Sequence, residues 1–273
     1  MPELPDLAVV AEELARRVAG ATVAEASAPT PILVRSTPDE LNALVGARLG
    51  AASRRGKFLL LPFERNGSVE RVLAANPMLA GRFWLLDGSR EKVRARTGLR
   101  LRLADGREIR YVDREMLGKL YLVGPDALDE LPGWREMGPD ADDPELTLER
   151  FRDRIRRHPG ELKALLRNPR FVAGIGNAYS DEILWRARLA PFRKRSSLRP
   201  EEIDRLYAAM REVLAEAIER LRQLVPPDVH VQHREFLQVH LRGGQPCPRC
   251  GRALRQIGGS EATTFCRACQ PPF

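Results

Sequence analysis

The sequence predicts an α+β protein with an N-terminal helix and β-sandwich, a helical domain and a C-terminal β-hairpin ribbon. Apolar side chains recur at helical spacing over residues 3–19, and short strand-like runs separated by turn residues fill residues 22–124. All four cysteines lie in the last 27 residues. With 273 residues, of which 43% are hydrophobic and 30% charged, the chain is long enough for two domains and is not a disordered one.

The N-terminal part combines a helix with strands. Apolar positions over 3–19 form one face of a helix, and Pro5 is tolerated there because it falls in the first turn. The strand-like runs that follow are VRSTP, KFLLLPF, VERVLAA, RFWLL and GLRLRLADGREIRYV. Turn dipeptides at 66–67, 87–88 and 105–106 separate several of them. Such a series is typical of a β-sandwich or a barrel.

Residues 125–146, rich in Pro, Gly and Asp, predict a linker after an N-terminal domain at 1–124. A helical domain then occupies 147–240, and the ribbon occupies 241–273. The helices are predicted at 147–158, 161–168, 178–188 and from Pro200 to about 224. Proline favours the first turn of a helix, so Pro200 marks the start of the longest one.

The charge distribution points to a polyanionic partner. The chain carries 45 basic and 37 acidic residues, a net charge of +8. Residues 1–140 hold 21 basic and 20 acidic residues, whereas residues 141–273 hold 24 and 17, and residues 150–199 alone hold 14 and 4. A basic block within a folded region favours nucleic acid as the partner. A GC-rich genome is the alternative explanation, because only five of the basic residues are lysines.

The cysteines form two C-x-x-C pairs with fifteen residues between them, Cys247/Cys250 and Cys266/Cys269. Two such pairs can surround one zinc ion with four thiolates, and a site with four protein ligands is structural because it leaves no open position. Two disulfides are the alternative, which the reducing cytosol disfavours. The sequence therefore predicts one structural Zn²⁺.

A glycine-rich turn precedes the helix predicted at 178–188. Its sequence, Gly174-Ile-Gly-Asn177, lets backbone N–H groups approach a phosphate closely at a helix N-terminus. A turn with only a structural role would have the same sequence pattern. The basic block and the zinc ribbon favour phosphate binding.

Four segments together resemble the formamidopyrimidine-DNA glycosylase/endonuclease VIII family. They are Pro2-Glu3-Leu4-Pro5-Asp6, residues 54–61 (RRGKFLLL), residues 174–179 (GIGNAY) and the ribbon ending FCRACQ. The resemblance runs from end to end. It implies that the helical domain is a helix–two-turns–helix domain and that the ribbon is a zinc finger. It also implies an enzyme that removes damaged bases and nicks DNA at abasic sites.

The resemblance also implies roles for single residues. Removal of Met1 exposes the secondary amine of Pro2 as a nucleophile, and the adjacent Glu3 serves as acid and proton shuttle. A retained Met1 would block that amine, and both residues also suit a plain helix start. The family's lysine strand places Lys57 in the catalytic centre as a phosphate contact. DNA binding is assigned to Asn76, Leu79, Lys163, Gly176 and Asn177.

The chain departs from the family's pattern at several positions. The finger arginine five residues before the third cysteine, which clamps phosphates in the family, is replaced here by Glu261. The three residues that fill the void left by the flipped base are replaced by Leu79, Glu115 and Leu117, so the arginine that reads the opposite cytosine is missing. The stretch 224–239, where the family covers an oxidised purine, is short. These changes favour abasic-site cleavage over excision of 8-oxoguanine opposite cytosine.

The predicted function is a DNA repair enzyme. It flips out a damaged base, cleaves its glycosidic bond and nicks the strand by β/δ-elimination through a Pro2 Schiff base. A non-catalytic damaged-DNA binder on the same fold and a zinc-ribbon nucleic-acid adaptor are the alternatives. The expected partner is double-stranded DNA with damaged bases or abasic sites, bound by a monomer. No apolar run reaches the roughly 20 residues that span a bilayer, and no secretory signal is evident, so we expect a cytoplasmic, nucleoid-associated bacterial protein.

Overall fold

The computed structural model describes residues 1–88, 92–259 and 261–271. Contacts divide the chain into one unit of residues 1–135 and 220–233 and a second unit of residues 136–219 and 234–273. The described helices are α1 (Leu4–Val18), α2 (Pro38–Asn42), α3 (Leu148–Arg157), α4 (Leu162–Arg167), α5 (Asn177–Ala187) and α6 (Pro200–Leu224). The described strands are β1 (Val23–Ser27), β2 (Val34–Arg35), β3 (Arg48–Leu49), β4 (Ser53–Arg55), β5 (Phe58–Arg65), β6 (Ser68–Asn76), β7 (Gly81–Leu86), β8 (Thr97–Leu103), β9 (Glu108–Asp113), β10 (Lys119–Val123), β11 (Arg255–Ile257) and β12 (Thr263–Phe265).

The first unit is a β-sandwich, which resolves the choice between a sandwich and a barrel. One sheet has the strand order β1-β8-β9-β7. The other has the order β2-β10-β6-β5-β3, with β4 also paired to β5. All pairs are antiparallel except β2 with β10. The predicted hairpin in GLRLRLADGREIRYV forms as β8 and β9, with Gly106 of the turn at a φ of +92°.

The core of the sandwich lies between the two sheets and under α1. It contains Leu59, Leu73, Leu101 and Ile109 from the strands, and Leu14 from the helix. The helix packs against β4 and β5. Its amphipathic sequence thus fixes the N-terminus of the chain on the six-stranded sheet, and the helix predicted at 3–19 is confirmed.

Two parts of the first unit differ from their sequence patterns. The run VRSTP is a strand only at Val34–Arg35. The prediction was wrong beyond that point because Thr37 caps α2: its hydroxyl accepts a hydrogen bond from the N–H of Glu40 at 3.2 Å, while Glu40 accepts from the N–H of Thr37 at 2.7 Å.

The predicted linker contains a 3₁₀ helix, Pro125–Glu130, and the buried Trp134, whose ring meets the edge of Phe58 with centroids 5.5 Å apart.

The second unit contains the predicted helices as α3, α4 and α5 and the larger part of α6, followed by the β11–β12 hairpin. The hydroxyl of Thr147 accepts from the N–H of Arg150 at 3.3 Å and marks the start of α3. Pro200 is the first residue of α6. Among the described residues, no helix is long and apolar enough to cross a membrane.

Candidate active site and nucleic-acid interface

Pro2 and Glu3 are buried at the start of α1. Glu3 is the N-cap residue, with extended backbone angles, and its N–H donates to a carboxylate oxygen of Asp6 at 2.7 Å. The carbonyl of Glu3 accepts from the N–H of Leu7 at 3.0 Å. The helix start therefore holds the backbone of the Pro-Glu dipeptide in one conformation.

The residues around Pro2 come from several parts of the first unit. A small pocket of about 20 Å³ beside it is lined by Pro2, Asp6, Pro77, Gly81, Val229 and Gln232, among others. The side chain of Gln232 donates to the carbonyl of Met1 at 3.2 Å and accepts from a guanidinium nitrogen of Arg82 at 2.6 Å. Gln232 therefore contacts the residue whose removal exposes the Pro2 amine, a contact that no sequence pattern indicated.

Lys57 lies in the tight turn between β4 and β5, the hairpin against which α1 packs. Gly56 beside it has a φ of +56°, a conformation that favours glycine. The Lys57 side chain is partly exposed. The turn therefore presents a cation at the end of the sheet that carries the N-terminal helix.

Two neighbouring turns of the sandwich expose apolar side chains. The β6–β7 turn carries Met78 and Leu79, and the β9–β10 turn carries Met116 and Leu117, each 36–51% exposed. The turns are adjacent because β6 pairs with β10 and β7 pairs with β9 at their ends. We call these four residues the apolar tip. Exposed apolar side chains gathered in one place mark a binding surface.

A buried frame holds the apolar tip. The two carboxylate oxygens of Asp113 accept from the N–H groups of Glu115 at 3.0 Å and Gly118 at 2.6 Å. A Cβ atom on either Gly81 or Gly118 would lie 1.9 Å from the hydroxyl of Tyr111, so both positions require glycine. The Asn76 side chain accepts from the N–H of Met78 at 3.2 Å and shapes the first turn.

The glycine-rich turn of the second unit ends at Gly176, which is the N-cap residue of α5. Gly174 has a φ of +99° and therefore needs glycine. The side-chain amide of Asn177 donates to the carbonyl of Ala262 at 2.9 Å, and its Oδ1 atom is buried without a hydrogen-bond partner among the described residues. The turn is thus attached to the tip of the β11–β12 hairpin.

Lys163 is only 5% exposed, which the sequence did not predict for a phosphate contact. Its ammonium group lies 2.6 Å from Asp181 and donates to the carbonyl of Ala262 at 3.3 Å. Asp181 also accepts from the N–H of Thr264 at 3.2 Å. The buried pair therefore joins α4, α5 and the hairpin, and a contact between Lys163 and DNA stays a prediction.

Glu182, the neighbour of Asp181, organises the chain before the ribbon. Its carboxylate accepts from the N–H groups of Gln238, Val239 and His240 at 2.8–2.9 Å. Burial raises the pKa of Glu182, and the three backbone donors oppose that rise. Adjacent carboxylates of α5 therefore anchor the segment before the ribbon and strand β12 within it.

The four cysteines converge on one point. Cys247, Cys250, Cys266 and Cys269 have sulfur atoms that all lie within 4.8 Å of one another. The sulfurs of Cys247 and Cys269 are 3.9 Å apart and those of Cys250 and Cys266 are 3.5 Å apart, too far for disulfides. A tetrahedral zinc ion with bonds of about 2.3 Å separates its sulfur ligands by about 3.8 Å. The cluster could therefore hold a metal ion, and its spacing fits zinc.

The surroundings of the cluster favour a thiolate at Cys247, whereas burial raises the pKa of the Cys266 and Cys269 thiols. The carbonyls of Cys247 and Cys266 accept from the N–H groups four residues later, each at 2.9 Å, so the two knuckles share one turn geometry. Trp185 donates its indole N–H to the sulfur of Cys247 at 3.4 Å. Burial disfavours the charged form of Cys247, but this bond and backbone donors outweigh it and lower the pKa of the thiol to about 6.

A helical unit whose sequence is rich in basic residues, a ribbon with a metal-ligand set and a sandwich with an exposed apolar tip are typical of proteins that bind DNA. Residues 1–120 match the formamidopyrimidine-DNA glycosylase N-terminal domain, and residues 137–225 match the formamidopyrimidine-DNA glycosylase H2TH domain. A formamidopyrimidine-DNA glycosylase of Pelotomaculum thermopropionicum is 34% identical, with 99% of each chain covered.

Two solved structures of Lactococcus lactis Fpg are similar over nearly the whole chain. The complex with abasic-site DNA has a TM-score of 0.87 and 26% identity, covering 98% of this chain and 99% of that one. The complex with DNA containing N7-benzyl-Fapy-dG has a TM-score of 0.86 and 28% identity, covering 99% and 100%. The chain therefore belongs to the formamidopyrimidine-DNA glycosylase family of DNA repair enzymes.

Proposed function

We propose that this protein excises damaged bases from double-stranded DNA and cleaves the strand at abasic sites, with Pro2 as the nucleophile. The observation that carries the proposal is the buried Pro2-Glu3 dipeptide, fixed at a helix start beside the turn that bears Met78 and Leu79. Similar structures contain DNA with an abasic site or a modified formamidopyrimidine. The enzyme acts on the bacterial chromosome, in keeping with bacterial relatives.

The chemistry follows from the residues at the helix start. Once Met1 is removed, the Pro2 amine in its neutral form is available as a nucleophile. Its lone pair attacks C1′ of the flipped nucleotide, the glycosidic bond breaks, and the departing base takes up the proton that the amine loses. Glu3 supplies a proton to the sugar ring oxygen as the C1′–O4′ bond breaks, which leaves an iminium between Pro2 and C1′. The resulting iminium acidifies C2′, whose proton is lost as the 3′ phosphate leaves, and a second elimination releases the 5′ phosphate.

One structural Zn²⁺ completes the protein in this proposal. Cys247, Cys250, Cys266 and Cys269 would hold it, and it supplies folding free energy to a ribbon with little core of its own. The ribbon's hairpin contributes the Ala262 carbonyl and Thr264 N–H that bond to α4 and α5. Zinc therefore acts on DNA binding through the position of that hairpin.

The apolar tip has the exposed apolar side chains of a wedge, which inserts between bases and fills the space left by a flipped nucleotide. Met78, Leu79, Met116 and Leu117 can stack against bases without reading them. Glu115, at the position where the family reads the opposite cytosine, is exposed and acidic and cannot donate to a base edge. We therefore propose an enzyme that opens the duplex with little discrimination of the opposite base.

Abasic-site cleavage is expected to exceed excision of 8-oxoguanine opposite cytosine by on the order of a hundredfold. An abasic nucleotide has no base to unpair or to read, so its flipping costs least. Loss of one bidentate arginine–base contact removes roughly 1–3 kcal/mol of discrimination. Single-turnover assays of the wild type on matched duplexes, with the opposite base varied among C, A, G and T, measure both quantities.

The variant Glu115→Arg is the matched comparison, because Asp113 holds residue 115 through its backbone and not its side chain. It should raise excision opposite cytosine selectively while abasic-site cleavage changes little. Efficient, cytosine-selective excision of 8-oxoguanine by the wild type would contradict the proposed specificity. Absence of cleavage on every duplex, by protein shown to begin at Pro2, would contradict the proposed function itself.

Lys57 is expected to contact a phosphate near the damaged nucleotide. Replacing it by Ala should weaken binding on all sequences and reduce the slope of log affinity against log salt by about one unit, because one counterion fewer is released. Fluorescence anisotropy with a duplex containing tetrahydrofuran, an uncleavable abasic analogue, measures the slope. Lys92→Ala changes an exposed lysine of the same unit and is the control. Equal slopes for the wild type and Lys57→Ala would remove Lys57 from the interface.

A further inference from the structure

Glu261, at the tip of the ribbon's hairpin, forms an ion pair with Arg167 of α4. A carboxylate oxygen of Glu261 accepts from the Nη2 of Arg167 at 2.9 Å. The side chains are 71% and 33% exposed, respectively, so the pair is open to solvent. Exposed pairs of this kind add little to the stability of a fold. Its effect is therefore to orient the guanidinium more than to hold the hairpin.

The position of this pair is set by buried bonds next to it. Ala262, which follows Glu261, has its carbonyl bonded to both Lys163 and Asn177. Lys163 precedes Arg167 by one helical turn of α4, so both point to the same face of that helix. The guanidinium of Arg167 therefore lies on the outside of a fixed junction between α4, the glycine-rich turn and the hairpin.

Lys163 and Arg167 differ in how far a neighbouring carboxylate compensates their positive charge. Lys163 is buried and compensated by Asp181, which is buried as well. Arg167 is bonded to an exposed carboxylate through one N–H, and its other four N–H groups make no hydrogen bond with a described residue. A guanidinium with a free edge can donate two parallel bonds to a phosphate, which a buried ammonium cannot do.

The charge around the pair also favours an anion. Glu261 is the only acidic residue of segment 236–273, which contains five arginines. The sole carboxylate of the ribbon thus lies against a cation of α4. Because Glu261 is well solvated, its repulsion of a nearby phosphate is weakened by water and by Arg167 itself.

We propose that Arg167, oriented by Glu261, contacts a DNA phosphate beside the damaged nucleotide and supplies the cation that the ribbon lacks at position 261. The inference rests on the proposed function, because it needs DNA to lie across the junction of α4, α5 and the hairpin. The positive charge then lies 2.9 Å from the carboxylate that stands in place of the finger arginine.

The test is the salt dependence of binding by the full-length, zinc-loaded protein to the tetrahydrofuran duplex. Arg167→Ala should lower affinity about three- to tenfold near 0.1 M salt and reduce the slope by about one unit. Arg152→Ala is the control, because Arg152 makes a comparable ion pair with Asp204 on the same unit and should leave the slope unchanged. Zinc content and thermal unfolding are compared for every variant.

Reversal of the pair gives a second, independent readout. Arg167→Glu should weaken binding more than Arg167→Ala, because two carboxylates then face the phosphate. The double variant Arg167→Glu/Glu261→Arg restores the ion pair and moves the guanidinium to the hairpin, so it should recover most of the slope. An unchanged slope in Arg167→Ala, or a double variant as weak as Arg167→Glu, would overturn the inference.

The same variants separate this inference from the proposed function. Borohydride trapping on abasic DNA at saturating protein reports Pro2 chemistry and should persist in Arg167→Ala. A wild type that binds DNA with an Arg167-dependent slope but gives no adduct would leave the phosphate contact standing and refute the enzyme. A wild type that traps DNA, together with a salt slope of binding that is unchanged in Arg167→Ala, would leave the enzyme standing and refute the phosphate contact.

Discussion

Replacing Pro2 by Gly is expected to lower the yield of borohydride-trapped covalent adduct on abasic DNA by on the order of a hundredfold or more, because the nucleophile becomes a primary amine that no ring holds in place. Glycine lacks the pyrrolidine ring that makes the terminal amine secondary and lines the pocket beside α1. The measurement is the yield of protein–DNA adduct on a denaturing gel after reduction. Binding to the tetrahydrofuran duplex should change much less, because Pro2 acts after the DNA is bound.

Pro5→Ala is the matched control, since Pro5 is also a buried proline in the first turn of α1. It should trap nearly as well as the wild type. Mass spectrometry of the wild type adds a second check, because only chains that begin at Pro2 have a free amine and can form the adduct. Undiminished trapping by Pro2→Gly, or trapping by chains that keep Met1, would refute the assignment of the nucleophile.

Replacing Cys266 by Ser is expected to release the metal and to weaken DNA binding at least tenfold. A structural zinc contributes on the order of 10 kcal/mol to folding a small domain. Without it, the hairpin that bonds to Lys163, Asn177 and Asp181 loses its support. Metal analysis should find one zinc per chain in the wild type and clearly less in the variant.

The effect should be confined to the second unit. Trp185 bonds to Cys247, whereas Trp84 and Trp134 belong to the first unit, so single-tryptophan variants report each unit separately. Only the Trp185 emission should change when zinc is removed by a chelator. Ala268→Ser, an exposed position between two of the cysteines, is the control. Full DNA affinity in a zinc-free Cys266→Ser protein would contradict the role given to the ribbon.

The elements predicted best are those whose local pattern and tertiary packing agree. The helices predicted at 3–19, 147–158, 161–168 and 178–188 form within about a residue of the expected bounds. The strand predicted for VRSTP failed because the capping box of Thr37 and Glu40 has a stronger local preference than the alternation of the run. The short strands β3 and β4 were missed because their two or three residues are too few to show periodicity.

The sequence predicted part of the candidate site. Cysteine spacing indicated the metal-ligand set, since four ligands in two close pairs leave few other geometries. The burial of Lys163 was not visible, because its partner Asp181 lies 18 residues away and only the fold brings them to 2.6 Å. Gln232 and Arg167 were missed for the same reason: their partners, the Met1 carbonyl and Glu261, are 231 and 94 residues distant.

The carboxylate of Asp113 holds the β9–β10 turn, and the buried Tyr111 ring packs closely against Gly81 and Gly118, while residues 78, 79, 115, 116 and 117 are exposed to solvent. The residues that support the turns are thus different from the residues that are exposed for contact. A substitution at the five outer positions leaves the turns in place, whereas one at Gly81, Tyr111, Asp113 or Gly118 disturbs both at once. We therefore expect single replacements at the exposed positions to change the preference for a lesion at little cost to the stability of the sandwich, except at Met78 and Met116, whose φ values of +48° and +57° restrict the choice of side chain.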